Sequence, residues 1–162
     1  IKLSKAHVQV ADARKDWIHK TTTQLVKEFD VVCIEDLNVR GMTRSARGKG
    51  RKAKAGLNRR ILEQSFAEIR RCLEYKSHDC GGEVVAIDRF FPSSKTCSSC
   101  GYINKTLTLN QRFWTCPRCQ EHLDRDINAA KNIQAAGLAV IACGDGVRPA
   151  KKPMALQAGS RQ

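Results

Sequence analysis

Acidic residues are scarce in this sequence, and their shortage gives the first indication of function. The chain has 16 Asp and Glu against 29 Lys and Arg, a formal net charge of +13, and a pI near 9.7. A surface with this balance attracts polyanions and releases counterions when its basic side chains contact phosphates. The composition therefore favours nucleic acid as partner over two alternatives, a basic protein that is merely soluble and one that binds an anionic membrane surface.

Long apolar runs are also missing. No segment approaches the roughly 20 apolar residues that a membrane-spanning helix needs, and no signal-peptide pattern opens the sequence. No amphipathic basic helix with an aromatic face stands out either, so we expect no membrane partner.

The eight cysteines do not form the pattern of a secreted disulfide framework. Four of them lie in two CxxC pairs, whereas Cys33, Cys72, Cys80 and Cys143 are scattered among apolar or loop residues. This division is typical of a reducing compartment, with one metal site and several inert thiols. We therefore expect a cytoplasmic protein, in which Cys33, Cys72 and Cys80 are small core fillers.

Apolar periodicity predicts an α/β chain in the order helix, strand, loop, helix, strand, cysteine module, helix. Residues 2–28 have helical spacing, and the β-branched run at 31–34 suits a buried strand. Asn58 is a candidate N-cap for a second helix reaching about residue 77, and Gly81 and Gly82 end it. The predicted units are an α/β portion at 1–91, the cysteine module at 92–122, a terminal helix at 123–143 and a disordered tail at 144–162.

Residues 38–56 contain Gly, Ser, Ala, Arg and Lys but no acidic residue. The composition predicts a flexible basic loop. It could contact a phosphate backbone or, as most charge runs do, simply face solvent. The candidate nucleic-acid-binding residues are Arg40, Arg44, Arg47, Lys49, Arg51, Lys52 and Lys54.

The strongest local motif consists of Cys97, Cys100, Cys116 and Cys119, two CxxC pairs separated by residues 101–115. Two residues between paired cysteines let both thiolates of a tight turn face one cation, and the intervening stretch is long enough for a short hairpin. Four thiolates complete a tetrahedron, so the spacing predicts a structural zinc. Two disulfides or a redox CxxC are the alternatives, and His122 could replace a cysteine but more simply lies outside the site.

Three carboxylates lie where a nuclease could use them. Glu35 ends the first predicted strand, the end at which ligands collect in open α/β sheets, and Asp124 and Asp126 begin the last helix. Singly, each has a structural explanation, because acidic residues cap helices and complement their dipoles. Together on a basic protein they suggest a two-metal phosphodiesterase, in which carboxylates hold two Mg²⁺ ions.

Three segments resemble the OrfB/TnpB proteins carried by insertion sequences. They are VCIEDLNV at 32–39 followed by Gly41 and Met42, FPSSKTCSSCG at 91–101, and DRDINAAKNI at 124–133. The resemblance covers about residues 1–150 and keeps the family's motif order. It implies a RuvC-like, RNase H-type nuclease fold with an inserted zinc ribbon, in a transposon-encoded, RNA-guided DNA endonuclease, often called a transposase.

By resemblance, Glu35 and Asp126 match the second and third metal-binding carboxylates, with Asp124 as the fallback. They would bind Mg²⁺ or Mn²⁺, while the four cysteines bind zinc. The partners implied are target DNA and a guide RNA, whose pairing supplies sequence specificity.

The family's first catalytic aspartate lies upstream of everything in this sequence, which begins at Ile1. We therefore expect a C-terminal portion that does not cleave DNA alone, because one of three metal carboxylates is missing. The alternative is a non-catalytic zinc-ribbon remnant that only binds nucleic acid. A stand-alone zinc-ribbon transcription factor would not explain the two strands and the terminal helix.

Overall fold

The computed structural model describes residues 2–46, 50–108 and 110–143. The predicted tail at 144–162, with Arg47 and Lys49 of the basic segment, lies outside the described residues. No helix among those described is both long and apolar enough to cross a membrane. The elements are α1 Lys2–Glu28, β1 Val31–Glu35, α2 Val39–Met42, α3 Arg51–Glu63, α4 Phe66–Cys80, β2 Glu83–Ile87, β3 Phe113–Thr115, β4 His122–Asp124 and α5 Arg125–Cys143.

The two apolar strands pair in parallel, with Val31 opposite Glu83 and Glu35 opposite Ile87. The long helix at 2–28 and both strands are thus confirmed. The expected burial of β1 is only partial, because all five of its residues are half-buried. The carboxyl end of β1 places Glu35 at one edge of this small sheet.

Helices cover both faces of the sheet. On one face α5 contacts both strands, and a Cβ built on Gly137 would lie 2.3 Å from Cys33 Sγ, so this close approach requires glycine. The adjacent Ile34 points to the opposite face, as alternation in a strand requires, and lines a cleft with Ile69 and Leu73 of α4. The start of α5 lies close to the end of β1, since Glu35 and Asp126 line the same cavity.

In the described residues, both ends of the basic segment are helical, where its composition predicted a flexible loop. Asn38 caps α2 by accepting from Gly41 N at 2.9 Å, and α3 already begins at Arg51. Alanine, lysine and arginine are good helix formers, so a lack of acidic residues does not by itself predict a loop.

The predicted second helix is also corrected. Asn58 is not an N-cap; it lies inside α3, and its Nδ2 donates to Thr43 O at 2.6 Å. The apolar run that follows is divided between α3 and α4 at Ser65, which has a left-handed backbone with φ 56°. Gly81, also left-handed with φ 70°, ends α4 as expected.

The cysteine module has a hydrophobic cluster of its own. Strands β3 and β4 pair antiparallel, and an isolated bridge joins Thr96 to Ile103. Leu107, Trp114 and Leu123 are buried together with Cys97 and Cys116. Because β4 ends where α5 begins, folding of this module also fixes the first turn of α5.

Candidate metal centre and carboxylate cavity

The four paired cysteines come together at one point. Their sulfur atoms all lie within 4.8 Å of one another, and the Sγ–Sγ distances are 3.6 Å for Cys97–Cys119 and for Cys100–Cys116. A tetrahedron with Zn–S bonds of about 2.3 Å has sulfurs about 3.8 Å apart. The geometry is therefore compatible with a structural zinc ion, and disulfide pairing within each CxxC is not what the structure shows.

The two cysteine turns share one backbone geometry. Gly101 N donates to Cys97 O at 2.9 Å, and Gln120 N donates to Cys116 O at 2.9 Å. Each turn ends in a left-handed residue, Gly101 with φ 74° and Gln120 with φ 61°. In the first turn the left-handed position is glycine, which adopts this conformation without strain. In the second turn it is Gln120, whose side chain makes the same conformation less favourable.

The electrostatics of the cluster oppose ionisation of all four thiols when no cation is shared between them. Burial opposes ionisation of Cys116, but the backbone N–H groups of Cys119 and Arg118 lower its pKa to about 7. The backbone N–H of Glu121 favours ionisation of Cys119, but burial and the neighbouring sulfurs raise its pKa to about 12. Thiolates this close cannot all ionise without a shared positive charge. His122 does not belong to this group of converging ligands, and its Nδ1 is 2.6 Å from Thr115 Oγ1.

Glu35 and Asp126 line a single cavity of about 530 Å³. Glu35 reaches it from the end of β1, and Asp126 reaches it from the first turn of α5. The structure therefore brings together the two carboxylates that the sequence analysis selected. The rest of the lining is mostly polar and consists of Ser93, Ser94, Asn110, Gln111, Arg112, Arg125 and Ala129.

Asp124, the fallback carboxylate, has a different position. Its Oδ1 accepts from the backbone N–H groups of Asp126 at 2.9 Å and Ile127 at 3.1 Å, which is an N-cap of α5. The N–H of Ile127, then that of Asp126, and Arg112 lower the pKa of Asp124. Asp124 therefore fixes the start of the helix, and Asp126 is the better candidate ligand.

Asp36, next to Glu35, is engaged by arginines. It pairs with Arg70 at 2.8 Å and with Arg89, and the hydrogen bonds from Arg89 and then Arg70 lower its pKa. Glu35 has a neutral partner instead, because Ser93 Oγ donates to its Oε1 at 2.9 Å. Of these two adjacent acidic residues, only Glu35 lines the cavity.

The described members of the basic segment differ in availability. Arg40, Arg44, Arg51 and Lys52 are exposed, but Lys54 is half-buried and donates to the Met42 carbonyl.

Two arginines of the cavity, Arg112 and Arg125, were not predicted from the sequence. Arg112 begins the segment that enters the second CxxC, and Arg125 lies between Asp124 and Asp126. The only sequence feature that could have indicated either arginine was the position of Arg125 inside the acidic motif.

A second group of possible metal ligands lies between α1 and α4, where ligand atoms of His19, Glu68 and Cys72 approach within 4.8 Å. Arg71 already holds both oxygens of Glu68, at 2.6 and 3.0 Å. Cys72 Sγ also lies 3.8 Å from Glu68. Because the carboxylate is neutralised by a guanidinium, we assign no metal to this group.

Two family models match the chain. The model described as "Probable transposase" matches residues 1–46, and the model described as "Cas12f1-like, TNB domain" matches residues 66–133. The first therefore covers α1, β1 and α2, and the second runs from α4 through the cysteine module into α5.

Similar proteins include a "Putative RNA-guided DNA endonuclease" of Streptomyces pristinaespiralis, 46% identical over 151 residues, 93% of this chain and 35% of that protein. The "Putative RNA-guided DNA endonuclease InsQ" of Escherichia coli K12 is 41% identical over 160 residues, 93% of this chain and 40% of that protein. The chain thus spans well under half the length of both.

A solved structure with a related fold is titled "Cryo-EM structure of the Cas12f1-sgRNA-target DNA complex". It has a TM-score of 0.60 and 25% identity, and the match covers 82% of this chain and 36% of that one.

Proposed function

Because this chain belongs to the OrfB/TnpB family, we propose that it is the C-terminal nuclease and target-DNA-binding portion of an RNA-guided DNA endonuclease. The observation that carries the proposal is the shared cavity of Glu35 and Asp126. The two carboxylates come from different elements and line one polar cavity together with two arginines. This arrangement suits a divalent-metal phosphodiesterase.

Within this proposal, Glu35 and Asp126 hold Mg²⁺ or Mn²⁺ through their carboxylate oxygens. The bound ions would activate a water molecule and stabilise the leaving oxygen of the phosphodiester. Arg112 and Arg125, at the same cavity, supply positive charge for the phosphate. Asp124 keeps the first turn of α5 in place, so that Asp126 faces the cavity.

We further propose that the parallel β1–β2 sheet is part of a RuvC-like, RNase H-type fold, with the four cysteines binding a structural zinc ion in an inserted ribbon. In the described residues, β1 pairs with β2 along one edge only, and all five of its residues are half-buried. The other edge can accept a parallel strand, which would bring a third carboxylate to the same end of the sheet as Glu35. Without that carboxylate we expect this chain alone to be inactive.

The partners follow from the same proposal. Target DNA would contact the exposed basic residues of α2 and α3, such as Arg40 and Arg51, and a guide RNA would be held by the complete protein in the cytoplasm. The Cas12f1 structure to which this chain is similar was solved with a guide RNA and target DNA. A non-catalytic zinc-ribbon remnant stays the second candidate, because nucleic-acid binding needs only the basic surface and the ribbon.

The proposal can be tested by DNA cleavage. The chain and a version extended by the upstream sequence of its gene are each given Mg²⁺ and labelled target DNA, with and without co-purified RNA. We expect only the extended protein to cleave, and Glu35→Gln or Asp126→Asn to abolish cleavage. The matched control is Asp124→Asn, which preserves an N-cap and should retain activity.

Two results would count against it. Cleavage that survives both Glu35→Gln and Asp126→Asn would exclude these carboxylates as the catalytic pair. No cleavage by the extended protein under any of these conditions would favour the binding remnant.

A further inference from the structure

Two buried asparagines, one helical turn apart on α5, hold the segment that joins the sheet to the ribbon. Asn128 is 1% exposed and Asn132 is 7% exposed. Asn132 Nδ2 donates to Ser93 O at 2.8 Å and to Thr96 O at 2.6 Å. Asn128 Nδ2 donates to Thr96 O at 2.6 Å, and its Oδ1 accepts from Ser98 N at 2.9 Å.

Such a pair of amides needs an explanation, because an apolar side chain would fill the same space without desolvating polar atoms. Residues four apart lie on the same face of a helix, so both amides reach the same short stretch of backbone. They provide hydrogen-bond partners for two carbonyls, Ser93 O and Thr96 O, and for the N–H of Ser98. Their effect is to fix residues 93–98, here called the connecting segment, against α5.

The connecting segment leads directly to the carboxylate cavity. Ser93 is 5% exposed, and its hydroxyl donates to Glu35 Oε1 at 2.9 Å. The carbonyl of the same residue is the one that Asn132 holds. A continuous series of contacts therefore joins Glu35 to Ser93, Ser93 to Asn132, and Asn132 through the backbone of α5 to Asp126.

The opposite end of the connecting segment is held by the first cysteine turn. Cys97 belongs to this segment, and its N–H donates to Tyr102 O at 2.8 Å. Asn128 binds Ser98 N, inside the same CxxC. The position of Ser93 is thus fixed from the ribbon as well as from α5.

We propose that Ser93 is a positioning residue that orients the Glu35 carboxylate toward Asp126, and that Asn128 and Asn132 hold Ser93 in place. This inference rests on the proposed function, because it assumes that the two carboxylates share a divalent cation. It assigns the buried asparagines of α5 a part in building the metal site, beyond packing the helix against the ribbon.

The test measures Mn²⁺ binding to the zinc-loaded 162-residue chain, with free Mn²⁺ followed by electron paramagnetic resonance. Mn²⁺ prefers oxygen ligands, so it reports on the carboxylates and not on the cysteines. Ser93→Ala should weaken Mn²⁺ binding by about 10- to 100-fold, as loss of a residue that orients a metal ligand typically does. Ser93→Thr, which keeps the hydroxyl, should restore binding.

Ser99→Ala is the matched control, since Ser99 is exposed and lies in the same CxxC turn. It should bind Mn²⁺ like the wild type, and all three serine variants should retain one zinc per chain. Equal weakening in Ser93→Ala, Ser93→Thr and Ser99→Ala, or zinc loss in Ser93→Ala, would overturn the inference by showing general damage.

A Glu35→Gln arm separates this inference from the proposed function. If Glu35→Gln abolishes Mn²⁺ binding but Ser93→Ala binds like the wild type, the positioning role is wrong and the metal site stands. If wild-type binding is absent or unaffected by Glu35→Gln, both proposals fail.

Discussion

Loss of zinc should unfold the cysteine module and loosen the first turn of α5, while the other helices and the β1–β2 sheet stay folded. The module buries three large apolar side chains, Leu107, Trp114 and Leu123, each 5% exposed. Burial of each such side chain contributes about 1.5–3 kcal/mol, so the three together contribute at most about 9 kcal/mol. The entropy cost of ordering the backbone reduces this contribution further. A structural zinc contributes about 10–16 kcal/mol, so the metal is the larger stabilising term.

Trp114 offers a direct assay of this prediction. It is 5% exposed, and the other tryptophan, Trp17, is 58% exposed. In a Trp17→Phe background, chelation of zinc should shift the fluorescence of Trp114 to longer wavelength as the residue enters water. Cys116→Ser should show the shifted spectrum without chelator and contain less than one zinc per chain.

Cys80→Ser provides the matched control, because Cys80 is exposed and lies outside the cluster. It should keep one zinc and the unshifted spectrum, and most of the helical circular dichroism should survive chelation in every variant. A Trp114 spectrum that does not change on complete zinc removal would refute the reasoning, since the small apolar cluster would then hold the module without metal.

Three further predictions concern single positions. Gln120→Gly should stabilise the zinc-bound module by about 0.5–1 kcal/mol in denaturant titrations, because glycine relieves the φ of 61°; a loss of stability would contradict this. Replacing Arg51 and Lys52 by alanine should weaken DNA binding and reduce the slope of log K against log salt by about 0.9 for each phosphate that is no longer neutralised. Lys54→Ala should leave that slope unchanged, because its Nζ is bonded to Met42 O; equal slopes in both variants would contradict the assignment. The pKa of Asp124 is lowered in the folded chain, so the ionised cap stabilises α5 at pH values above the unfolded pKa of about 3.9. This stabilisation is lost as the pH falls through the pKa of the folded chain. Between about pH 5 and pH 3, the melting temperature of Asp124→Asn should therefore fall less than that of the wild type. An equal fall in both proteins would show that the cap is not the titrating group.

The elements that the sequence predicted well are those in which local and tertiary preferences agree. The apolar β-branched run of β1 and the long periodicity of α1 fold as expected. The four cysteines also converge as their spacing predicted, because a CxxC turn determines its own geometry over a few residues. Short-range rules suffice for each of these features.

The basic segment shows where composition misleads. Its Gly, Ser and Lys content suggested a loop, but residues with good helix propensity begin α3 at Arg51. Asn58 looked like an N-cap because asparagine favours that position. Its side chain instead donates a hydrogen bond to the carbonyl of Thr43. Such a tertiary contact has no signature in the local sequence.

The carboxylate cavity was predictable only in part. The positions of Glu35 and Asp126 at element ends pointed to one site, but only the family resemblance favoured Asp126 over Asp124. The structure adds a physical reason, since Asp124 caps α5. The hydrogen bond from Ser93 to Glu35 joins residues 58 positions apart, and only the fold brings them together.

The most direct test of the account is to locate Mn²⁺ in crystals of the zinc-loaded chain by anomalous diffraction. We predict a manganese peak in the cavity, within about 2.3 Å of carboxylate oxygens of both Glu35 and Asp126, and no such peak in crystals of Glu35→Gln. A peak bound to Asp124 or Asp36 with none between Glu35 and Asp126 would contradict the central claim that these two carboxylates share a divalent cation.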